Sequence, residues 1–213
     1  MHQLKIDMVS DVVCPWCVIG YKRLEKALQQ LQGEIQADIE WHPFELNPQM
    51  PPEGEGLSEH IARKYGSTPE QMAANRQHIT FFGQELGFQF DFGKISHIYN
   101  TFNAHRVLHW ARDKGKQKEM ELGLFDAYFT EGKDPSDPEV LSAVAEAAGL
   151  DGSTAREIAK SDQYTQEVRT EQKHFTAMGI QAVPAFIVEN KYLISGAQDP
   201  SVFVKALKEI IAG

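Results

Sequence analysis

The residues best suited to chemistry in this chain are its two cysteines, Cys14 and Cys17, separated by Pro15 and Trp16. Two cysteines scattered at random over 213 positions stand three apart in roughly one arrangement in a hundred, so the pairing is informative by itself. A bridge across so short a span closes almost no loop, which argues against a structural staple. At the start of a helix, the same spacing puts two thiols on one turn, where a disulfide can open and close without unfolding. Pro15 suits the first helical position because it has no N–H to leave unpaired. Cys14 then sits at the helix N-terminus, where free N–H groups and the helix dipole stabilise an anion. The thiolate is the nucleophile of disulfide exchange. Cys17, one turn later and deeper, is placed to attack a mixed disulfide formed at Cys14.

Two other readings of the pair stand beside this one. A C-x-x-C is also half of a zinc site, which needs four ligands. His105 and His109, at i and i+4 on a predicted helix, are the candidates for the rest. No second C-x-x-C exists, however, and more than 80 residues intervene; the expectation is no metal. Two inert, buried thiols are the other alternative. His109 reads as a packing or solvated helix residue, and His105 shares that reading beside a functional one.

The elements that must position the dithiol are legible from periodicity. Leu4 to Ser10 alternates as a strand, and a helical pattern runs from Pro15 to Gly33. Ile35 to Leu46 reads as a second strand that becomes irregular at Pro43. Asn47 to Gly56 is a Pro- and Gly-rich loop and the clearest shift in composition. From Leu57 to about Thr176 the pattern is nearly all helical, with Thr68-Pro69 opening one helix and Asp134 to Pro138 another. Ala182 to Val188 is a short apolar strand, Glu189-Asn190-Lys191 a turn, Tyr192 to Ser195 a return strand, and Pro200 to Ala212 a final helix capped by Asp199. Strand–helix–strand at one end and strand–strand–helix at the other can share a sheet, with the intervening helices as a cap. The expected division is residues 1–55 with 177–213, and 56–176 as an insertion.

Composition narrows the classes. A formal net charge of −9 and the lack of a Lys/Arg run argue against nucleic acid. No apolar stretch is long enough for a membrane span. The first residues lack the apolar core of a signal peptide, with Asp7 and Asp11 interrupting them, so a cytoplasmic location is expected.

Ser10-Asp11-Val12-Val13-Cys14-Pro15-Trp16-Cys17 resembles the DsbA family, most closely its FrnE-like cytoplasmic branch. Phe44 to Pro48, Lys64-Tyr65-Gly66, Asn100-Thr101, Ala104-His105-Arg106, Tyr128-Phe129 and Gly179-Ile180 through Ala185 support it across the chain. The resemblance implies an α/β, thioredoxin-like fold with a large all-helical insertion. It implies a cis Val183-Pro184 bond facing the dithiol, with Val183 offering its backbone to substrate and Pro184 barring metal from the thiols. It places Asp11, Glu45, Asn47, Asn100 and His105 near the cleft: Asp11 as a tuning group or a loop cap, Glu45 as a proton acceptor for Cys17 or a solvated ion pair. The implied activity is a protein disulfide oxidoreductase or isomerase acting on a disulfide-containing protein or a small thiol. Its redox-active Cys14–Cys17 pair needs no tightly bound cofactor, and glutathione is admitted as a co-substrate. A related branch of glutathione-dependent isomerases and kappa-class transferases commonly has serine where Cys14 stands; a small aromatic or polyketide-like substrate is the alternative it suggests. A binding or chaperone-like module without turnover is a third reading. Redox direction and oligomeric state are not encoded in these motifs.

Overall fold

The first strand, β1 (His2–Ser10), is buried from Ile6 onward on both faces, the signature of a strand with layers on either side. In the computed structural model, which describes residues 1–213, it is an inner strand of a four-stranded sheet. The other strands are β2 (Ile35–Pro43), β5 (Ala185–Val188) and β6 (Tyr192–Ser195), in the order β2-β1-β5-β6. β2 lies parallel to β1, with His2 opposite Ile35 and Ser10 opposite Pro43. The crossover between them is α1 (Pro15–Gln30). β5 runs antiparallel to β1, Ile6 opposite Val188, and β6 antiparallel to β5. Glu189 and Asn190 at the hairpin tip have φ of 53° and 54°, the left-handed pair that matches the twist of two strands. Lys5 holds Glu189 there: its carbonyl accepts from the Glu189 N–H at 3.0 Å, and its N–H donates to the carboxylate at 2.6 Å.

One sheet face carries Leu4, Ile6, Met8, Phe186 and Val188 into a core shared with α1 and the last helix, α9 (Pro200–Ala212). The other carries Val9, Ala185 and Ile187 against Phe175 of α8 (Thr165–Ala177). α9 starts on Asp199, whose carboxylate accepts from the Ser201 N–H at 2.9 Å, as the sequence suggests.

Between β2 and β5 the chain builds the insertion: α2 (Leu57–Tyr65), α3 (Pro69–Glu85), α4 (Phe102–Asp113), α5 (Gln117–Phe125), α6 (Pro138–Ala147), α7 (Gly152–Lys160) and then α8. Thr68 and Gln71 close a full capping box on α3. α5 ends in one wide π turn, Asp126–Thr130. Arg106 lies buried and donates to the carbonyls of Ile158 at 2.7 Å and Ala159 at 3.1 Å, satisfying the end of α7 and opposing its dipole.

Several boundaries differ from the sequence reading. β2 stops at Pro43, not Leu46: Phe44 N–H still reaches Ser10 O at the end of β1 at 3.0 Å, but Leu46 N–H turns to the Asp11 side chain, Oδ2, at 2.7 Å. The apolar run from Ala182 enters the sheet only at Ala185. The helical insertion also contains a two-residue ribbon, β3 (Glu55–Gly56) with β4 (His97–Ile98), reached through an irregular segment after α3. That ribbon includes residue 55, and α8 runs through Ala177.

Candidate active site

Asp11 and Cys14 make the turn that starts the site, the Cys14 N–H donating to Asp11 O at 3.0 Å. Cys14 is the N-cap of α1 in extended conformation, and Pro15 follows in the first turn. Both thiols are free, with Cys14 4% exposed and Cys17 fully buried. Opposite them the Val183-Pro184 bond is cis, and the Val183 carbonyl lies 3.9 Å from Cys14 Sγ. Gly20 allows this approach: a Cβ there would stand 2.8 Å from Pro184 Cγ. Trp16 is half-buried on the lip, its ring 6.2 Å from that of Phe82.

Behind the dithiol lies a buried polar layer. Burial and the adjacent Cys14 sulfur push the Cys17 thiol well up, while the Asp11 backbone and the Ser10 hydroxyl work the other way. Ser10 donates to Glu121 of α5 at 2.9 Å, in full burial. Burial pushes the Glu121 carboxyl up to about 7, against the pull of His105 and Ser10. Burial alone lowers His105, but the Asp11 carboxylate, 3.6 Å from its Nε2, reverses this and leaves it raised. The same nitrogen lies 3.0 Å from Phe44 O.

The sequence-derived candidates fall into two groups. Cys14, Cys17, Pro15, Trp16, Val183, Pro184, Asp11 and His105 converge around or beneath the thiols. Glu45 is buried in an ion pair with Arg169 and accepts from Gln172 Nε2 at 3.0 Å. The pair is half-buried, with Arg169 the more exposed partner, and Glu45 lines the same cleft as Cys14. Asn47 holds Lys64 at 2.7 Å on the cleft wall. Asn100 instead braces the loop, donating to Met50 O at 3.0 Å and accepting from the Phe102 N–H at 2.9 Å. His109 turns away to Arg112 and Glu171.

Ser10 and Glu121 were missed by sequence reasoning. The available signal was Gln117 and Glu121 recurring at i,i+4 beside Met120 and Leu124, two polar residues on an apolar helical face.

A model of the DSBA-like thioredoxin domain matches residues 5–208. The chain belongs to that family. YwbO, an uncharacterized protein of Bacillus subtilis (strain 168), is 29% identical to this DSBA-like chain over 205 residues, 96% of each. A probable DsbA oxidoreductase from Streptomyces coelicolor superposes with a TM-score of 0.88 at 28% identity, covering 97% of this chain and 89% of that one. Cytosolic disulfide reductase DsbM from Pseudomonas aeruginosa, solved with GSH, gives 0.66 at 18% identity, over 98% of this chain and 100% of its own. At that identity the likeness speaks for the fold alone. The DSBA-like fold is thus thioredoxin-like with a helical insertion, and its family is one of thiol–disulfide oxidoreductases.

Proposed function

We propose that this DSBA-like chain exchanges disulfides through Cys14 as nucleophile and Cys17 as resolving thiol. The observation that carries the reading is the placement of Cys14 at the head of α1, 3.9 Å from the Val183 carbonyl, with Cys17 buried behind it. The Cys14 thiolate attacks one sulfur of the substrate, and the other sulfur leaves with the electron pair. Cys17 then gives up its proton and attacks Cys14 Sγ, releasing the second thiol and leaving a Cys14–Cys17 disulfide. The buried position of Cys17 makes proton removal the costly part of that step, and Ser10 leading to Glu121 is the route we assign to it. In this reading residues 1–55 and 177–213 carry the chemistry, and 56–176 roof it and lend Glu121.

The FrnE-like resemblance and the cytosolic DsbM neighbour support a reducing compartment, where the dithiol is the resting form. The glutathione in that neighbour supports glutathione as a co-substrate. Isomerisation of protein disulfides belongs to the same chemistry run without net oxidation. A glutathione-dependent isomerase working without the dithiol is the weaker reading, since Cys14 and Cys17 are both present and adjacent.

The test is exchange by the reduced chain against a disulfide substrate. Cys14→Ser is expected to abolish turnover, and Cys17→Ser to accumulate a mixed disulfide on Cys14, visible as an added mass. Full activity of Cys14→Ser would sink the assignment.

A further inference from the structure

Cys14 opens not onto a flat surface but into a cleft of about 750 Å³ between the cis-proline loop and the helices α2 and α3. That volume lies in the range of small-molecule sites. The wall is mainly apolar and rich in rings: Trp16, Phe44, Tyr65, Phe92, Tyr128 and Phe129 all line it. With Cys14 only 4% exposed, a disulfide fixed on the surface of a folded protein meets the roof before the sulfur.

The charges in this cleft are one-sided. Glu45 is the sole carboxylate on the wall and is already matched by Arg169. Lys64 and Arg76 spend their hydrogen bonds on neutral partners: Lys64 on Leu46 O and Asn47 Oδ1, Arg76 on Ser58 Oγ at 3.1 Å. Arg76 Nε and His60 Nε2 are buried on this wall with no partner. Neither cation has a salt-bridge partner, although the Asp11 carboxylate acts on Lys64 through space, so this wall carries more positive than negative charge in a chain of net charge −9.

We infer that the cleft binds a small aryl disulfide carrying a carboxylate, its ring among the aromatic side chains and its anion on Arg76 and Lys64. The inference rests on the dithiol reading for the reaction but not for the binding. In the reaction, Cys14 displaces one aryl thiolate, and Cys17 loses a proton and displaces the second. The ligand gains two electrons and becomes two thiols, and the protein becomes the Cys14–Cys17 disulfide.

The experiment has a chemical arm and a binding arm. In the first, the reduced chain meets dithiobis(nitrobenzoate), neutral dithiodipyridine or oxidised glutathione in a single turnover, each rate normalised to that of a free dithiol. The anionic aryl disulfide is expected to saturate at the lowest concentration. The Arg76→Gln, Lys64→Gln double variant should raise its half-saturation about tenfold relative to the neutral aryl probe, the worth of about 1.4 kcal/mol. In the second arm, the non-reducible thioether analogue of the same diaryl acid is titrated by Trp16 quenching into the intact chain and into Cys14→Ser. Binding to both, weakened by the double variant, supports the cleft even where no exchange occurs. Exchange without thioether binding overturns the inference while leaving the dithiol reading standing. Preferential saturation by oxidised glutathione, or by a cystine-bridged peptide, overturns it in favour of a peptidyl substrate.

Discussion

At Glu121 the fold holds a carboxyl that water would ionise near pH 4.5, in a site where burial moves it to about 7. The sign of the consequence follows from linkage. An acid whose folded value is raised keeps its proton in the folded state while the unfolded chain loses it. Stability therefore falls as pH rises from about 4.5 to about 7, and levels off above. Glu121→Gln removes that penalty. The variant should be more stable than the parent by about 1–3 kcal/mol at pH 8, with no such gain at pH 4, by urea unfolding at both. On the proposed route the same variant lacks the proton acceptor. Resolution of the mixed disulfide should slow at least tenfold, roughly the lower part of what a positioned base supplies. A rate unchanged from pH 6 to 9 would remove Glu121 from the reaction and leave it a buried acid.

Between elements, the close approach that bears directly on the site is that of α1 to the cis-proline loop. Alanine at position 20 has two opposing effects. It adds up to about 1 kcal/mol of helix propensity. It also places a methyl 2.8 Å from Pro184 Cγ and 3.2 Å from Phe186, and such overpacking costs about 1–3 kcal/mol. Both neighbours are rigid, so the second effect wins. Gly20→Ala should lower the melting temperature and slow exchange by widening the gap between Cys14 and Val183, whereas a stabilised, fully active variant would contradict this packing. On α3 the capping box predicts a different result. Thr68→Ala should cost about 1 kcal/mol of stability by denaturant titration. That helix carries Arg76, so the loss bears on the cleft roof more than on the thiols.

Over the whole molecule, the sheet and the insertion are joined behind the site by an ionic clamp. His42 of β2 has Asp7 of β1 at 2.8 Å on one ring nitrogen and Glu171 of α8 at 2.5 Å on the other. Arg112 of α4 reaches Glu171 at 2.7 Å and Glu40 at 2.9 Å. Burial disfavours charge on His42, yet the two carboxylates hold it above the ordinary histidine range. Burial alone would raise Glu171, but its bonds to His109, His42 and Arg112 hold it far below the carboxylate range. Asp7, Glu40 and His42 are close enough to share a cation, but Lys5, at 3.0 Å from Asp7 and 3.4 Å from Glu40, already supplies the positive charge. The contribution of Glu171 is complete above its unfolded value near 4.5 and is lost as pH falls. That of His42 is complete below its unfolded value near 6.5 and is lost as pH rises through its raised folded value. The clamp is thus strongest between about pH 4.5 and 6.5. Glu171→Gln should cost about 1–3 kcal/mol there, shrinking in strong acid, where the unfolded chain takes up the proton that the folded carboxylate resists. A loss of the same size at pH 2 would mean that packing, not charge, joins the two parts.

The sequence by itself determined what is local. Two cysteines one helical turn apart, a proline behind the first, and runs of period two and near four were enough for the dithiol, the strands and most helices. Caps such as Thr68 and Asp199 act within a few residues of where they stand. Tertiary structure decided what depends on distant segments meeting. Glu121 reaches Ser10 across 111 positions, Glu45 is taken by Arg169 from 124 positions away, and Lys64 and Arg76 become a cationic wall only once α2 and α3 fold over Cys14. Glu121 leaves only a faint local trace, a polar residue on an apolar helical face, and none of the others carries a local pattern, because a charged residue reads the same whether it faces water or a buried thiol.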